Sequence, residues 1–573
     1  MKADVSDIRI LLPADAPETV NYAATELRHY LGLMTGRILE ICQTADAPAI
    51  SVDRDDSLGA DGFTLRTENG VLAIRGGVRG VIYGAYELLE RLGCRFFTAT
   101  CEKIPRVDGL TLPVLDERHS PAFEYRDLNY YEACQNDRFA VKLRLNGGLV
   151  GVKPRHGGSM RYACFVHSFQ RLVSPEIYGR DHPEYFALYD GQRCVTPEKN
   201  QLCLTNPDVL EIAIESARKL LRDNPQARII SISQNDWNRR CECEACLASD
   251  REEGSPAGTL LKFVNAVAER LEPEFPDVIF DTLAYQYTRP IPARVRPRHN
   301  VCVRLCSIEA CFSHPFETCD DDRSVVLPDG SRHSFITDLR DWGTVCDRMY
   351  IWDYTTCFAN YPSPHPNWHT LQPNMKAFAK NNVKGVFEQA NGASKGGTDF
   401  NELREYVISK LLWDPDTDVE RHIREFTDEF YGAASPMVRE YIDYLCGVAE
   451  KENIHVGFND NPDSDLFRDE VLDHLQAILD RAKAAVSGDA LRLWRITKAE
   501  LSVRWVRLKR RTMLEDNMDP DEMNRFFTDW RAFGMSRIDE WCSQETTFRA
   551  MLHGLWRGTE FFQHWSDAGE DEQ

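Results

Sequence analysis

LLKFVNAVAERLEPEFPDVIFDTLA, residues 260–284, carries two different hydrophobic periods in succession. Leu260, Val264, Val267 and Leu271 recur at helical spacing and fall on one face. The segment 278–284 is a short apolar run, as expected of a strand buried on both sides. A helix followed by a buried strand is the unit of a parallel sheet, because parallel neighbours need a crossover and a helix supplies it. Working outward, similar runs occur at 122–128, 145–150, 162–166 and 228–233 before it, and at 300–306, 349–352 and 384–387 after it. Eight runs predict an α/β fold built on a (β/α)8 TIM-like barrel.

The flanks read differently. Val20, Ala24, Leu27 and Leu31 form a helical stripe, and a second follows at Val81, Ala85, Leu88 and Leu92. Between them Glu68-Asn69-Gly70 marks a tight hairpin. Beyond Trp413-Asp414-Pro415 the pattern is wholly helical, with stripes at Phe467, Val471, Leu475, Ile478, Ala482 and at Trp494, Leu501, Trp505, Leu508. The expected units are a small N-terminal α/β domain at 1–118, a catalytic barrel at 119–414 and a C-terminal helical domain at 415–573. That last unit ends in a disordered acidic tail at 569–573.

Composition narrows the function. The 573 residues include 68 basic and 90 acidic side chains, a net charge of −22. A phosphate backbone needs a dense basic surface, so nucleic acid is excluded as a partner. No run of 18 apolar residues is present to span a membrane. The first twelve residues lack the apolar core of a signal peptide, so the chain is expected in the cytoplasm, or exported if a leader is missing. There is no GxxxxGK[ST] loop, HExxH or GxSxG.

Barrels present their chemistry at the C-terminal ends of the strands. The residues falling there are His167; Asn235, Asp236 and Trp237; Tyr285 and Tyr287; Glu309 and His314; Trp352 and Asp353; and Glu388. Carboxyl groups can move a proton at a glycosidic oxygen, and aromatic faces stack on the C–H surfaces of sugar rings. Asp236, Glu309 and Glu388 are therefore the catalytic candidates, and the other eight are candidates for binding substrate. Each has a plainer role available: Asp236 as a helix cap, Glu388 in a barrel-closing salt bridge, Asp353 orienting a neighbour, His167 in the core. Tyr285 and Tyr287, two apart, are expected on one face of a strand. His365 and His369 have ligand-like spacing, but Pro364 and Pro366 make a cleft-lining loop with Trp368 the better reading.

Thirteen of the 18 cysteines lie between residues 120 and 357. Among them Cys241, Cys243 and Cys246 have spacings that can wrap a structural zinc ion if a fourth ligand exists. Cys311, Cys319 or a histidine is expected to supply it in space; a disulfide or unligated thiols are the alternatives. No cofactor is expected to be needed for catalysis.

GGVRGVIYGAYELLERLGCRFF at 76–97 resembles the N-terminal α/β domain shared by hexosaminidases and α-glucuronidases. The barrel resembles the family called domain of unknown function 4838, through SQNDW (233–237), the cysteine triplet, AYQYT (284–288), SHP (313–315) and KLLWDP (410–415). Part of that family is glycoside hydrolase family 163, endo-β-N-acetylglucosaminidases acting on N-glycans. The resemblance implies a retaining, substrate-assisted reaction, in which the 2-acetamido group attacks the anomeric carbon. One carboxylate, taken as Asp236, steadies the amide; Glu309 or Glu388 protonates the leaving oxygen. The expected partner is an oligosaccharide or glycoprotein glycan. The alternatives are an exo-acting hexosaminidase, a uronidase using Arg126, Arg155 or Arg161 to bind a carboxylate, or a catalytically silent glycan-binding protein.

Overall fold

The computed structural model describes residues 8–45, 48–196, 199–321, 325–326, 332–392, 394–395, 397, 399–514 and 519–552. The acidic tail expected at 569–573, and the end of the helical region from 553, lie outside the described residues.

Six of the eight expected strands form one all-parallel sheet. In chain order they are β1 (Tyr125–Asn129), β2 (Ile229–Ser231), β3 (Ile279–Ala284), β4 (Val301–Cys306), β5 (Met349–Tyr354) and β6 (Val383–Gln389). They lie side by side in the order β2-β3-β4-β5-β6-β1, a barrel wall curved through three-quarters of its strands. The helices Pro207–Asp223, Pro256–Leu271, Phe335–Val345 and Trp368–Lys380 lie in the crossovers that lead to β2, β3, β5 and β6, while β3 connects to β4 through a single turn at Gln286–Thr288 and coil. β3 and β4 are buried at every residue, as a sheet covered on both faces requires.

The expected second and third strands are not strands. Residues 145–150 run as turn and coil, and 162–166 contribute a single parallel bridge, Tyr162 to Ile229. These segments still join β1 and β2, through scattered backbone bonds such as Gly147 N–H to the Arg126 carbonyl at 3.0 Å and Ala163 N–H to that of Ile229 at 2.8 Å, supplemented by side chains. The buried Asp127 carboxylate accepts the backbone N–H of Leu149 at 3.0 Å and of Val150 at 3.4 Å. Asn146 Oδ1 accepts the Arg126 N–H at 2.9 Å. A Cβ on Gly147 would sit 2.0 Å from the Asp127 side chain, so the close approach requires glycine.

The barrel interior is packed, with a charged group at its centre. Arg304 is fully buried, its Nε 3.1 Å from Asp281 Oδ2 and its guanidinium over the rings of Tyr125 and Tyr350 at 5.2 and 5.4 Å. A buried charge costs several kcal/mol unless paired, and here a carboxylate and aromatic faces meet it.

Before the barrel, a mixed sheet runs Glu40–Cys42, Arg9–Leu11, Ala49–Arg54, Val71–Gly76, Phe63–Glu68, Asp116–His119. The hairpin falls where Asn69 and Gly70 adopt φ of 50° and 82°, the left-handed pair its tight turn demands. Asp61 ties this layer to the barrel. Its Oδ1 lies 2.6 Å from Arg79 Nε and 3.1 Å from Arg126 Nη2. Burial alone would raise the Asp61 carboxyl, but the two guanidiniums hold it at about 2. After the barrel come the helices Val419–Tyr431, Ser435–Lys451, Asp469–Ala485, Ala490–Leu514, Pro520–Ala532 and Gln544–Leu552. The first helical stripe is buried throughout; in the second, Trp494 is instead exposed, its ring tilted against Phe533 at 5.0 Å. No described helix is long and apolar enough to cross a membrane.

Candidate active site

Side chains alternate along a strand, so every second residue of β3 to β6 faces the barrel interior. At the C-terminal end these are Leu283, Cys306, Trp352, Tyr354 and Gln389. With His167, Asp236, Tyr285, Ile308, Phe458, Glu540 and Trp541 they line a cleft of about 550 Å³. No lysine or arginine is among these lining residues.

Asp236 stands exposed just past β2, on the turn that follows Gln234 and Asn235. Tyr285 Oη donates to its Oδ1 at 3.1 Å. Burial, and then the charge of Asp236, push the Tyr285 phenol upward, so it stays protonated and remains a donor. The pair presents a carboxylate with one oxygen anchored. Beside it His167 Nδ1 lies 2.9 Å from the Gln234 carbonyl, which selects the tautomer with hydrogen on Nδ1 and leaves Nε2 as an acceptor. His167 has φ of 56°, a left-handed conformation held in place by its own N–H donating to Ser233 Oγ at 3.0 Å. Trp352 is oriented by donation from Nε1 to Gln389 Oε1 at 2.8 Å.

The second carboxyl of the cleft comes from far downstream. Residues 537–543 form a turn that docks on the loop after β5: Tyr361 N–H donates to the Ile538 carbonyl at 2.8 Å and Glu540 N–H to that of Phe358 at 3.0 Å. Asp539 Oδ1 accepts the N–H groups of Trp541 and Cys542 at 2.9 and 2.6 Å, which shapes the turn so that Glu540 and Trp541 enter the cleft. Burial pushes the Glu540 carboxyl up to about 7, while Tyr361 Oη donates to its Oε2. Strand-end reasoning overlooks this residue because it lies in the helical region. The signal on offer was an acidic pair beside a tryptophan, Asp539-Glu540-Trp541.

Of the sequence candidates, the cleft gathers Asp236, His167, Tyr285 and Trp352. Others go elsewhere. Glu388 and Asp353 are register partners on β6 and β5, one residue out of phase with the lining side chains, so they face the helix layer. There they adjoin Asn367, Thr370 and Asn374 around a second, much smaller void. Burial, then the charge of Asp353, raises Glu388 well above the carboxylate range; burial brings Asp353 to about 6, against the donation it accepts from Ser307 Oγ at 2.5 Å. Glu309 follows β4, half-buried, 2.8 Å from Arg289 Nη1. Asn235 is spent on the protein, donating to Asn200 Oδ1 at 2.6 Å and accepting from Gln170 N–H at 3.1 Å. Trp237 packs edge-on to Tyr189 outside the cleft. Tyr287 does not share a face with Tyr285: β3 stops at Ala284, and a single turn at Gln286–Thr288 carries Tyr287 toward Arg240 and Asp250. His314 lies against Cys311 and His455. His365 is buried near Arg404, and Trp368 begins a helix, so neither lines the cleft.

The Asp353 environment has a consequence for stability. Its folded pKa is raised, so its favourable contribution is complete below about pH 4 and is lost as pH rises through about 6. Asp353→Asn keeps an acceptor for Ser307 and removes the penalty. We expect it to stabilise the protein at pH 7 by about 2–3 kcal/mol and to leave it nearly unchanged at pH 4. Calorimetry at both pH values checks this; equal shifts at pH 4 and pH 7 would contradict it.

The cysteine triplet acquires a fourth thiol, and it is Cys203, not Cys311 or Cys319. The four sulfurs of Cys203, Cys241, Cys243 and Cys246 lie within 4.8 Å of one another, with Cys203 at 3.7 Å from Cys243 and 3.9 Å from Cys246. None of the 18 cysteines is in a disulfide. A tetrahedral ion with metal–sulfur bonds of about 2.3 Å has sulfur–sulfur edges of about 3.8 Å, so the residues fit a zinc ion.

Among known proteins, the family described as Domain of unknown function (DUF4838) matches residues 96–443. No curated protein matches the chain. A solved family GH115 4-O-methyl-α-glucuronidase with specificity for decorated arabinogalactans shares the fold, with a TM-score of 0.59 at 12% identity over 96% of this chain and 78% of that one. A GH138 enzyme targeting pectin rhamnogalacturonan II aligns at TM-score 0.45 and 12% identity, covering 92% and 73%. A mutant Streptomyces plicatus β-hexosaminidase aligns at 0.40 and 12%, covering 76% and 92%.

Proposed function

The chain belongs to the DUF4838 family, and from that premise we propose that it is a retaining glycoside hydrolase cleaving a β-linked N-acetylglucosamine-containing glycan, in the manner of an endo-β-N-acetylglucosaminidase. The observation that carries the reading is the pairing, in one aromatic cleft, of the anchored carboxylate Asp236 with the desolvated carboxyl Glu540. Asp236 accepts the N–H of the 2-acetamido group, making its carbonyl oxygen a better nucleophile. That oxygen attacks the anomeric carbon as Glu540 passes its proton to the departing glycosidic oxygen. Glu540, now a carboxylate, takes a proton from the water that opens the cyclic intermediate. This needs two carboxyls and no protein nucleophile, the known exception to the usual retaining pair. Glu540 takes the acid role given to Glu309 or Glu388 on sequence grounds, since Glu388 faces away and Glu309 is engaged by Arg289.

A cleft lined without lysine or arginine suits a neutral sugar. The uronidase alternative is weakened at Arg126, which is buried and bonded to Asp61 and to the carbonyls of Phe123 and Arg144. The proposal extends to a zinc ion held by Cys203, Cys241, Cys243 and Cys246, a closed site of four thiolates that would brace the loop after β2.

Incubation with an N-glycoprotein and a panel of p-nitrophenyl glycosides, read by mass spectrometry, tests the activity. The expected product is a released glycan with one N-acetylglucosamine left on the protein. Intact glycoprotein and no aryl release, with or without sugar binding, overturns the reading.

A further inference from the structure

A second convergence of sulfur and nitrogen lies outside the cleft. Cys311 and Cys319 come from the loop after β4, with His314 between them; His455 comes from the connection between the helices Ser435–Lys451 and Asp469–Ala485. The four ligand atoms lie within 4.8 Å of one another. Cys311 Sγ is 3.4 Å from His314 Nδ1 and 3.3 Å from His455 Nδ1, and Cys319 Sγ is 3.7 Å from His455 Nδ1. A tetrahedral zinc with bonds of about 2.3 Å to sulfur and 2.05 Å to nitrogen has sulfur–nitrogen edges of about 3.6 Å. The spacings match that polyhedron. One outer contact matches too: the remaining ring nitrogen of His455, Nε2, is 3.2 Å from Asp320 Oδ1, the carboxylate partner that ligating imidazoles usually keep, whereas His314 Nε2 is buried without a partner.

We propose that Cys311, His314, Cys319 and His455 bind a structural zinc ion that staples the loop after β4 to the segment 454–458, and so holds Phe458 in the cleft. The two stretches are already laced: Phe312 N–H donates to the Val456 carbonyl at 2.8 Å, Ser313 Oγ donates to the Ile454 carbonyl at 2.6 Å and accepts from Val456 N–H at 3.0 Å. Phe458, three residues past the ligand, stacks on Phe358 at 4.3 Å and lines the cleft. A metal bound by ligands from both stretches would add its binding free energy to this junction, since the site exists only when the two segments meet.

The test uses the full chain and does not depend on activity. Purified protein is dialysed and its zinc counted per chain, for wild type, His455→Ala and His455→Cys. The site predicts one ion fewer in His455→Ala and wild-type content in His455→Cys, where a thiolate replaces the imidazole. Equal content in wild type and His455→Ala overturns it. Should His455→Ala not fold, cobalt-loaded wild type decides. A tetrahedral d–d band set from an S2N2 centre, at higher energy than any from an S4 centre, supports the proposal, and its absence overturns it. Stripping the metal with a chelator should also speed amide hydrogen exchange in 454–458; unchanged exchange after loss of one ion from this site would sink the staple role.

Discussion

Asp236→Asn is expected to lower kcat/KM on N-acetylated substrates by about 10²–10³-fold, equivalent to about 2.7–4 kcal/mol of transition-state stabilisation. The variant keeps the shape of the site, because an amide oxygen can still accept from Tyr285 Oη, now at 3.1 Å from Oδ1. The second oxygen becomes an NH2 that meets the acetamido N–H donor to donor. The charge that would offset the developing positive amide is also gone. Since the interaction strengthens as the acetamido oxygen attacks, the loss should fall on kcat more than on KM. Steady-state kinetics on an aryl N-acetylglucosaminide measure both. Turnover within a few-fold of wild type would remove Asp236 from the mechanism.

Glu540→Gln is the second large effect, and its signature is pH. The group works as an acid, and burial sets it at about 7, so kcat/KM should fall as pH rises through 7. In the glutamine variant that alkaline fall should vanish. Cleavage of a natural glycan should drop about 10²–10⁴-fold, while a p-nitrophenyl leaving group, which departs with little protonation, should lose far less. Rates for both substrates between pH 5 and 9 make the comparison. An unchanged alkaline limb, or equal losses on both leaving groups, would return the acid role to another residue.

The fold was mostly legible because burial dictates pattern. The runs that became β2, β3 and β4 are mostly apolar and buried, as a two-sided sheet requires, and the helical stripes have the spacing of one buried face, whereas β1 carries Arg126 and Asp127. The failures at 145–150 and 162–166 differ in kind. At 145–150 strand-like composition is overridden by a long-range acceptor, the Asp127 carboxylate, which takes the Leu149 and Val150 N–H groups a ladder would have used, whereas 162–166 keeps backbone bonds to β2 but only one bridge's worth of regular pairing. The site was legible where a residue lies at a strand end and on the lining side, as with Asp236, Tyr285 and Trp352.

By itself the sequence determined the six parallel strands β1 to β6 and the helices between most of them, the hairpin at Asn69-Gly70 and the metal-like spacing of the cysteine triplet, because periodicity and spacing are local properties of a chain. Tertiary structure alone decided which carboxyls share a cleft. A shift of one residue along β5 or β6 turns Asp353 and Glu388 to the helix layer, and the docking of a distant turn on the loop after β5 brings in Glu540. It also chose Cys203 as the fourth thiol and joined His455 to Cys311. Those choices depend on where remote segments meet in space, and no period along the chain records that meeting.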